Sequence, residues 1–194
     1  MRTAKVERNS LETRITVSLN LDGEGKSVIS TGIGFMDHML TLFAKHGKID
    51  LEVDAKGDLE VDAHHTMEDL GIVLGEALRQ AVDDKKGINR YGQSLLPMDE
   101  TLVLVGLDFS GRAFLGYGIT PPAPYIKDLD TALFQEFFRA VCSSCGLNLH
   151  FQLLAGGEVH HVFEACFKGF GRAVRMALEM DPKEKGIPST KGIL

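Results

Sequence analysis

The sequence is an imperfect tandem repeat, and this feature constrains the fold more than any other. Residues 11–23 and 99–111 both read Glu-Thr, then apolar residues at alternate positions, then a turn that ends in Gly. Residues 62–69 and 158–165 both read acid-x-His-His-x-x-Glu. The Glu-Thr match is short enough to be a coincidence, whereas a repeated His-His-x-x-Glu motif is much harder to obtain by chance. We therefore expect two similar structural units.

Hydrophobic periodicity predicts the same order of elements in each half. The first half has strands near 13–21 and 26–31, a helix near 35–46, a strand near 48–55 and a helix near 64–84. The second half has strands near 101–108 and 112–119, a helix near 129–144, a strand near 147–154 and a helix near 160–179. We predict an α+β fold of two β-β-α-β-α units, residues 1–90 and 91–194, with helices packed on one face of each sheet. Small units have thin cores, so the two halves should form one compact body.

Composition indicates a globular protein and limits its partners. The chain has 194 residues, of which 44% are hydrophobic and 25% charged, and this excludes a disordered chain. The net charge is −6, so nucleic acid is not expected as a partner. No apolar stretch approaches the roughly 18 residues of a membrane helix, and the charged N-terminus has no signal-peptide core. An odd number of cysteines, three, in such a chain predicts free thiols in a reducing, cytoplasmic compartment. For the Cys142 and Cys145 pair, we expect a packing role rather than redox chemistry or metal binding.

The two His-His-x-x-Glu motifs indicate metal chemistry. On a helix, His64 and His65 point about 100° apart, so the adjacent imidazoles suit two ions better than one shared ion. Glu68 lies one turn further along the same face. The second motif has the same geometry at residues 160–164. A set of nitrogen and oxygen donors without thiolate favours Mn, Fe, Co or Zn over Ca or Mg.

Further ligands are predicted at His38 and His150, although one lies on a helix pattern and the other on a strand pattern. His46 fits a helix C-terminus and a site role equally well. Asp62 and Asp69 flank the first motif, where they would accept hydrogen bonds from the imidazoles, and a helix N-cap fits Asp62 equally well. A single His on a helix is more often packed or solvated than bound to metal, so the repetition carries this prediction. The predicted metal ligands are His38, His64, His65, Glu68, His150, His160, His161 and Glu164.

Taken together, these motifs resemble the imidazoleglycerol-phosphate dehydratases of histidine biosynthesis. The matching segments follow in order through the whole chain, at residues 8–13, 34–40, 62–69, 160–168 and 188–192. The resemblance implies a duplicated fold like the second domain of ribosomal protein S5. It also implies two Mn²⁺ ions per active site, with the sites built between subunits of a hollow homo-oligomer of 24 subunits.

The resemblance further implies a reaction and residue roles. Imidazoleglycerol phosphate would lose water to give imidazoleacetol phosphate, through an imidazolate and a diazafulvene-like intermediate stabilised by two metal ions. Glu12 is the first choice for the acid/base residue, with Glu164 and His46 as further catalytic candidates. The residues implied in phosphate or other substrate contacts are Arg90, Arg112, Lys168, Ser189, Thr190 and Lys191, in addition to Glu12, His38, His64, His65, Glu68, His160 and His161.

Two other functions stay open from the residues alone. A dinuclear metallohydrolase, with bound hydroxide as its nucleophile, would use a similar ligand set. A non-enzymatic RNA-binding module is the other, because S5-like folds occur in RNA-binding proteins. The acidic net charge and the absence of a basic stripe oppose this second alternative.

Overall fold

A computed structural model describes residues 2–194, and each half of the chain forms one four-stranded sheet with two helices. The elements of the first half are β1 (Thr3–Asn9), β2 (Thr13–Asn20), β3 (Ser27–Ser30), α1 (Gly34–Gly47), β4 (Asp50–Gly57) and α2 (His64–Val82). Those of the second half are β5 (Tyr91–Met98), β6 (Thr101–Asp108), β7 (Phe114–Gly118), β8 (Tyr125–Ile126), β9 (Leu129–Asp130), α3 (Leu133–Cys145), β10 (Asn148–Ala155) and α4 (Val159–Leu178).

The two sheets have the same topology. Their strand orders are β1-β2-β4-β3 and β5-β6-β10-β7. In each sheet the last pair, β3 with β4 or β7 with β10, is parallel, and the other pairs are antiparallel. Helix α1 or α3 lies between the two parallel strands in sequence, as parallel pairing requires. The predicted duplicated α+β fold is confirmed.

Each half begins with a strand that the periodicity did not predict, so the observed unit is β-β-β-α-β-α. Strand β1 buries only Val6, because it lies at a sheet edge and most of its side chains face solvent. Strand β5 turns Gly92, Ser94 and Leu96 inward, and two of these three residues are too small to produce an apolar alternation. The short β8–β9 hairpin occupies the region where the second-half helix was expected to begin, and α3 begins at Leu133.

The four helices lie between the two sheets and join the halves. Helix α1 packs against α4, and α2 packs against α3. The helices approach closely at glycines: a Cβ atom at Gly71 would clash with the carbonyl oxygen of Phe137, and one at Gly171 with that of Phe43. This arrangement brings side chains of α1, from the first half, next to those of α4, from the second half. Within residues 2–194, no helix is long and apolar enough to cross a membrane.

Candidate functional site

The second His-His-x-x-Glu motif forms a compact group with helix α1, which we call the α4 cluster (His38, His160, Glu164 and Lys168). His38 Nε2 lies 2.7 Å from Glu164 Oε1, and His160 Nε2 lies 3.0 Å from the same oxygen. Lys168 Nζ donates a hydrogen bond to the other carboxylate oxygen, Oε2. The close packing of α1 on α4 therefore joins a histidine predicted from the first half to a motif of the second half.

The carboxylate of Glu164 is charged although it is buried. Burial alone would raise its pKa, but hydrogen bonds from Lys168, His38 and His160 together lower the pKa to about 2. One donor atom from each of His38, His160 and Glu164 lies within 4.8 Å of the others. Two imidazoles and one carboxylate at this spacing are a donor set that fits a divalent transition-metal ion.

His46 lies two turns after His38, at the end of α1. It is half-buried, and desolvation together with the positive charges of Lys168 and Arg172 lowers the pKa of its imidazole. A lowered pKa keeps the ring neutral at neutral pH, so it is able to accept a proton. The structure thus places His46 near the α4 cluster, as a site role requires.

His161 points to a different group of acidic residues, on the turn between β5 and β6. Its Nδ1 lies 3.0 Å from Glu100 Oε2, and its Nε2 lies 4.0 Å from Asp99 Oδ2. Glu158 caps α4 by accepting from the backbone N–H of His161, and the backbone N–H of Glu158 donates to Glu100 Oε1. The hydrogen bond to Glu100 raises the pKa of His161 and lowers that of Glu100 to about 2.

The first motif is more open, and we call it the α2 cluster (Glu12, Asp58, His64, His65 and Glu68). His64 Nε2 and Glu68 Oε2 are 3.6 Å apart, and both side chains are about half exposed. His65 Nδ1 lies 2.9 Å from Asp58 Oδ2, and this contact raises the pKa of His65. His65 Nε2 lies 3.9 Å from Glu12 Oε1. The histidines of both clusters are partly exposed, but the motif carboxylate faces solvent in the α2 cluster and is buried in the α4 cluster.

Glu12 lies on a tight turn whose neighbouring residues are firmly held. The hydroxyl of Ser10 accepts from the backbone N–H of Glu12, and the hydroxyl of Thr13 donates to Asp69 Oδ2 at 2.6 Å. Arg8 Nε lies 2.9 Å from Asp69 Oδ1. Asp69 therefore stabilises this turn through the hydrogen bond from Thr13 and the ion pair with Arg8, rather than orienting an imidazole.

Asp62 precedes the N-cap residue of α2, Ala63, and contacts the helix backbone. Its Oδ1 accepts from the backbone N–H of His64 at 2.7 Å, at the start of α2. The carboxylates that reach the imidazoles are instead Asp58 and Glu100, which the sequence reasoning did not assign. Glu100 could have been found, because the repeat aligns it with Glu12. Asp58 has no counterpart in the repeat, and no sequence signal marks it.

The basic residues implied in phosphate contacts gather near the C-terminal tail. A cavity of about 740 Å³ is lined by Arg90, Arg112, Ser189, Thr190 and Lys191, among others. Arg90 donates to both carboxylate oxygens of Asp108, at 2.7 and 3.0 Å, and to the backbone oxygen of Pro188. The remaining residue of that set, Lys168, lies apart from this cavity, in the α4 cluster.

His150 lies on the outer face of the second sheet, on the side away from the helices. Its ring lies across Gly116, where a Cβ atom would clash with Nδ1, and 5.3 Å from the ring of Phe114. This face also exposes large apolar side chains at Tyr91, Leu95, Leu104, Phe114 and Leu154. Within the described chain, His150 is not brought to the other predicted ligands.

Comparison with known proteins decides the family. The family model described as imidazoleglycerol-phosphate dehydratase matches residues 31–174. The chain belongs to the imidazoleglycerol-phosphate dehydratase family. A dehydratase of this family from Heliobacterium modesticaldum is 56% identical, and one from Pelobacter propionicus is 54% identical, with all of this chain and at least 99% of each relative aligned.

Solved structures of family members have the same fold. The crystal structure of imidazoleglycerol-phosphate dehydratase from Staphylococcus aureus is 40% identical, with a TM-score of 0.84 over 92% of this chain and 99% of that one. The Pyrococcus furiosus structure, in complex with (S)-C348, is 34% identical with a TM-score of 0.84 over 97% of this chain and 100% of that one. The predicted family is confirmed, and the chain is an enzyme of the hydro-lyase class.

Proposed function

We propose that this chain converts imidazoleglycerol phosphate to imidazoleacetol phosphate and water in histidine biosynthesis, with two Mn²⁺ ions at each active site. Family membership supports the reaction, and one observation carries the metal site: donor atoms of His38, His160 and Glu164 lie within 4.8 Å of one another. Repetition of the motif in the α2 cluster supports a second ion.

The donor chemistry fits manganese. His38, His160 and Glu164 would hold one ion, and His64, His65, Glu68 and His161 would contribute to the pair. All of these donors are imidazole or carboxylate, whereas the three cysteines are buried as free thiols and burial raises the pKa of Cys142 and Cys145 to about 12. When bound, the two ions supply Lewis-acid stabilisation of negative charge on the substrate's imidazole ring.

The side chains of the chain perform the proton transfers. Removal of the ring N–H proton gives an imidazolate, which expels hydroxide from the carbon next to the ring. Loss of a proton from the next carbon, with return of a proton to the ring nitrogen, gives an enol that tautomerises to the ketone, so that one water is lost overall. Glu12 is the proposed acid/base residue, since its carboxylate is half exposed and lies 3.9 Å from His65. His46 is a secondary proton carrier because its ring is neutral at neutral pH. Glu164 is held by Lys168, so a ligand role suits it better than proton transfer.

The phosphate would bind in the cavity at the C-terminal tail. Arg90 and Arg112 offer guanidinium groups, which suit the oxygens of a phosphate, and Lys191 adds a point charge. Ser189 and Thr190 add hydroxyl donors from the same segment. Arg90 already contacts this segment through its hydrogen bond to Pro188, and a phosphate bound there would add contacts that order the tail.

The active site would lie between subunits of a homo-oligomer of 24 chains in the cytoplasm. Three features support assembly: the apolar outer face of the second sheet, the solvent-facing α2 cluster, and Leu11, which is fully exposed beside Glu12. His150 on that outer face would then serve as a ligand for a neighbouring copy. Domain units 1–90 and 91–194 are proposed as halves of one body within each subunit.

A direct assay tests the reaction. The protein is treated with chelator, and Mn²⁺ is added back while imidazoleglycerol phosphate is followed by NMR and bound metal per subunit is measured. We expect imidazoleacetol phosphate to appear as about two ions bind per active site. No loss of water at full Mn²⁺ occupancy would contradict the dehydratase function, and release of inorganic phosphate instead would indicate the metallohydrolase.

Light scattering tests the assembly. If ligands cross subunit boundaries, removal of metal lowers the particle mass and Mn²⁺ restores it. An unchanged mass after complete metal removal would contradict an assembly bridged by metal.

A further inference from the structure

In both halves, the second histidine of the motif makes the same kind of contact. His65 Nδ1 lies 2.9 Å from Asp58 Oδ2, and His161 Nδ1 lies 3.0 Å from Glu100 Oε2. The other ring nitrogen, Nε2, is farther from a carboxylate: the distance to the carboxylate oxygen is 3.9 Å for His65 and 4.0 Å for His161. The two carboxylates come from different places in the fold, one from the loop after β4 and one from the β5–β6 turn. Each nevertheless contacts Nδ1 of its own histidine.

We propose that Asp58 and Glu100 are positioning residues that hold His65 and His161 in the tautomer protonated at Nδ1, which leaves Nε2 of each ring as the metal donor. This inference rests on the proposed metal sites. A carboxylate accepts hydrogen bonds but donates none, so a neutral imidazole beside it must carry its proton on the facing nitrogen. Such a partner also fixes the ring orientation, which a metal site requires.

A comparison within the repeat supports a dedicated role for these carboxylates. Glu12 and Glu100 are repeat counterparts, yet Glu100 hydrogen-bonds its histidine while Glu12 stays 3.9 Å from His65. In the first half Asp58 takes the position at Nδ1 that Glu100 has in the second. Asp58 thereby releases Glu12 from a structural contact at Nδ1, and Glu12 stays beside Nε2 of His65 as Asp99 stays beside Nε2 of His161.

The surroundings of the two carboxylates differ in a way that decides the choice of variants. Glu100 Oε1 also accepts from the backbone N–H of Glu158 and the hydroxyl of Thr101. In Glu100→Gln the amide oxygen stays with these two donors, and the NH₂ group faces His161 Nδ1. Asp58 Oδ1 is buried without a hydrogen-bond partner among residues 2–194, so an amide there could turn either way and Asp58→Ala is the clearer variant.

The first experiment measures tautomers in metal-free protein by ¹⁵N NMR with labelled histidine, at about pH 9, where the imidazoles are neutral. We expect His65 and His161 of the wild type to be protonated at Nδ1. Glu100→Gln should move the proton of His161 to Nε2, and Asp58→Ala should give a mixture of both tautomers at His65. Unchanged tautomers in both folded variants would overturn the proposal.

The second experiment measures Mn²⁺ affinity of the same variants by titration. Loss of a carboxylate that orients a metal ligand typically lowers metal affinity by about 10- to 100-fold, and we expect a loss in this range. Asp62→Ala is the matched control, because it removes a charge from the same loop but contacts only the backbone N–H of His64. We expect its affinity to stay within about threefold of the wild type, since surface charges contribute little.

The two experiments separate this proposal from the proposed function. A wild type that binds no Mn²⁺ would refute the metal sites, while the tautomers would still test the contacts. A wild type that binds Mn²⁺, with Asp58→Ala and Glu100→Gln no weaker than Asp62→Ala, would overturn the positioning role alone. Because Glu100 is exposed and Asp58 is not, a folding defect in Asp58→Ala leaves Glu100→Gln as an independent test.

Discussion

The α2 and α4 clusters share one motif but differ in how far its carboxylate is buried. The side chain of Glu164 is 10% exposed and contacts His38, His160 and Lys168, whereas the side chain of Glu68 is 50% exposed and contacts His64 at 3.6 Å. The neighbouring residues explain the difference: α1 supplies a histidine to α4, and a lysine follows Glu164 by one turn, where Ile72 follows Glu68. The same five-residue motif thus forms an ion-pair network around a buried carboxylate in one half and an outward-facing set of side chains in the other.

The two acidic turns before the clusters differ in a complementary way. Glu100 is occupied by His161, Thr101 and the N-terminus of α4. Glu12 makes no comparable contact, because Asp58 binds His65 and Asp69 holds the turn through Thr13. The two glutamates occupy equivalent positions in the repeat, but Glu100 is held by hydrogen bonds whereas Glu12 is left half exposed, as the proposed proton transfer requires.

The largest expected effect separates these two glutamates. Glu12→Gln should lower kcat by about 100- to 10,000-fold, because it removes a positioned acid/base group, and should leave Mn²⁺ affinity unchanged. Glu100→Gln should instead lower activity through metal affinity, so that excess Mn²⁺ restores much of the rate. Steady-state kinetics across a Mn²⁺ titration measure both. Recovery of Glu12→Gln at high Mn²⁺ would contradict the division of roles.

The second prediction concerns how much each of the two motif carboxylates contributes to the stability of the protein. In metal-free protein, Glu164→Gln should lower the free energy of unfolding by about 3 kcal/mol, because Lys168, whose side chain is only 16% exposed, loses its charged partner. Glu68→Gln should change it by no more than about 0.5 kcal/mol, since Glu68 is exposed. Urea denaturation at one fixed protein concentration measures both values. Equal losses would show that the difference in enclosure has no energetic consequence.

The sequence predicts the parts of this comparison that depend on pattern. Strand β2 buries every second residue, so its periodicity is visible in the sequence, and the repeat shows that the halves are equivalent. Strand β5 was missed because its inward positions include Gly92 and Ser94. Edge strand β1 was missed because burial of Val6 alone leaves no pattern to detect.

Contacts within the candidate site depend on packing between distant segments, and sequence spacing reveals little of this. The meeting of His38 with Glu164 follows from the crossing of α1 on α4, which no local pattern specifies. Asp69 was expected at an imidazole and instead holds Thr13, because its side chain leaves α2 on the buried side, toward β2. His150 was recognisable as a candidate by type, but its outward direction depends on the register of β10.

The third prediction is the pH dependence of the α4 cluster. The folded-state pKa of Glu164, about 2, is below its ordinary value of 4.5, so its contribution to stability is complete above pH 4.5 and is lost as the pH falls toward 2. The stability gap between the wild type and Glu164→Gln should therefore narrow between these pH values. Urea denaturation of metal-free protein from pH 7 to pH 2.5 measures the gap. A constant gap would show that the contacts of Glu164 do not depend on its charge.

The smallest expected effect tests how firmly the Glu12 turn must be held. Asp69→Asn keeps an acceptor for the Thr13 hydroxyl but removes the charge that pairs with Arg8. The loss in unfolding free energy should be about 1 kcal/mol, as for one hydrogen bond to a charged group that is partly retained. A slight displacement of Glu12 should lower kcat by roughly tenfold with little change in KM, since catalysis depends steeply on the placement of the acid/base group.

The second half provides the reason to expect an effect on rate as well as on stability. The repeat counterpart of Asp69 is Ala165, which has no carboxylate to anchor the turn that carries Glu100. Glu100 is instead fixed by its own hydrogen bonds. A carboxylate that must stay free for proton transfer cannot be fixed in that way, and its turn needs another anchor. Asp54→Asn, on the exposed face of β4, is the control for loss of one negative charge. If Asp69→Asn loses stability while its kcat equals that of the control, Asp69 stabilises the fold without positioning Glu12.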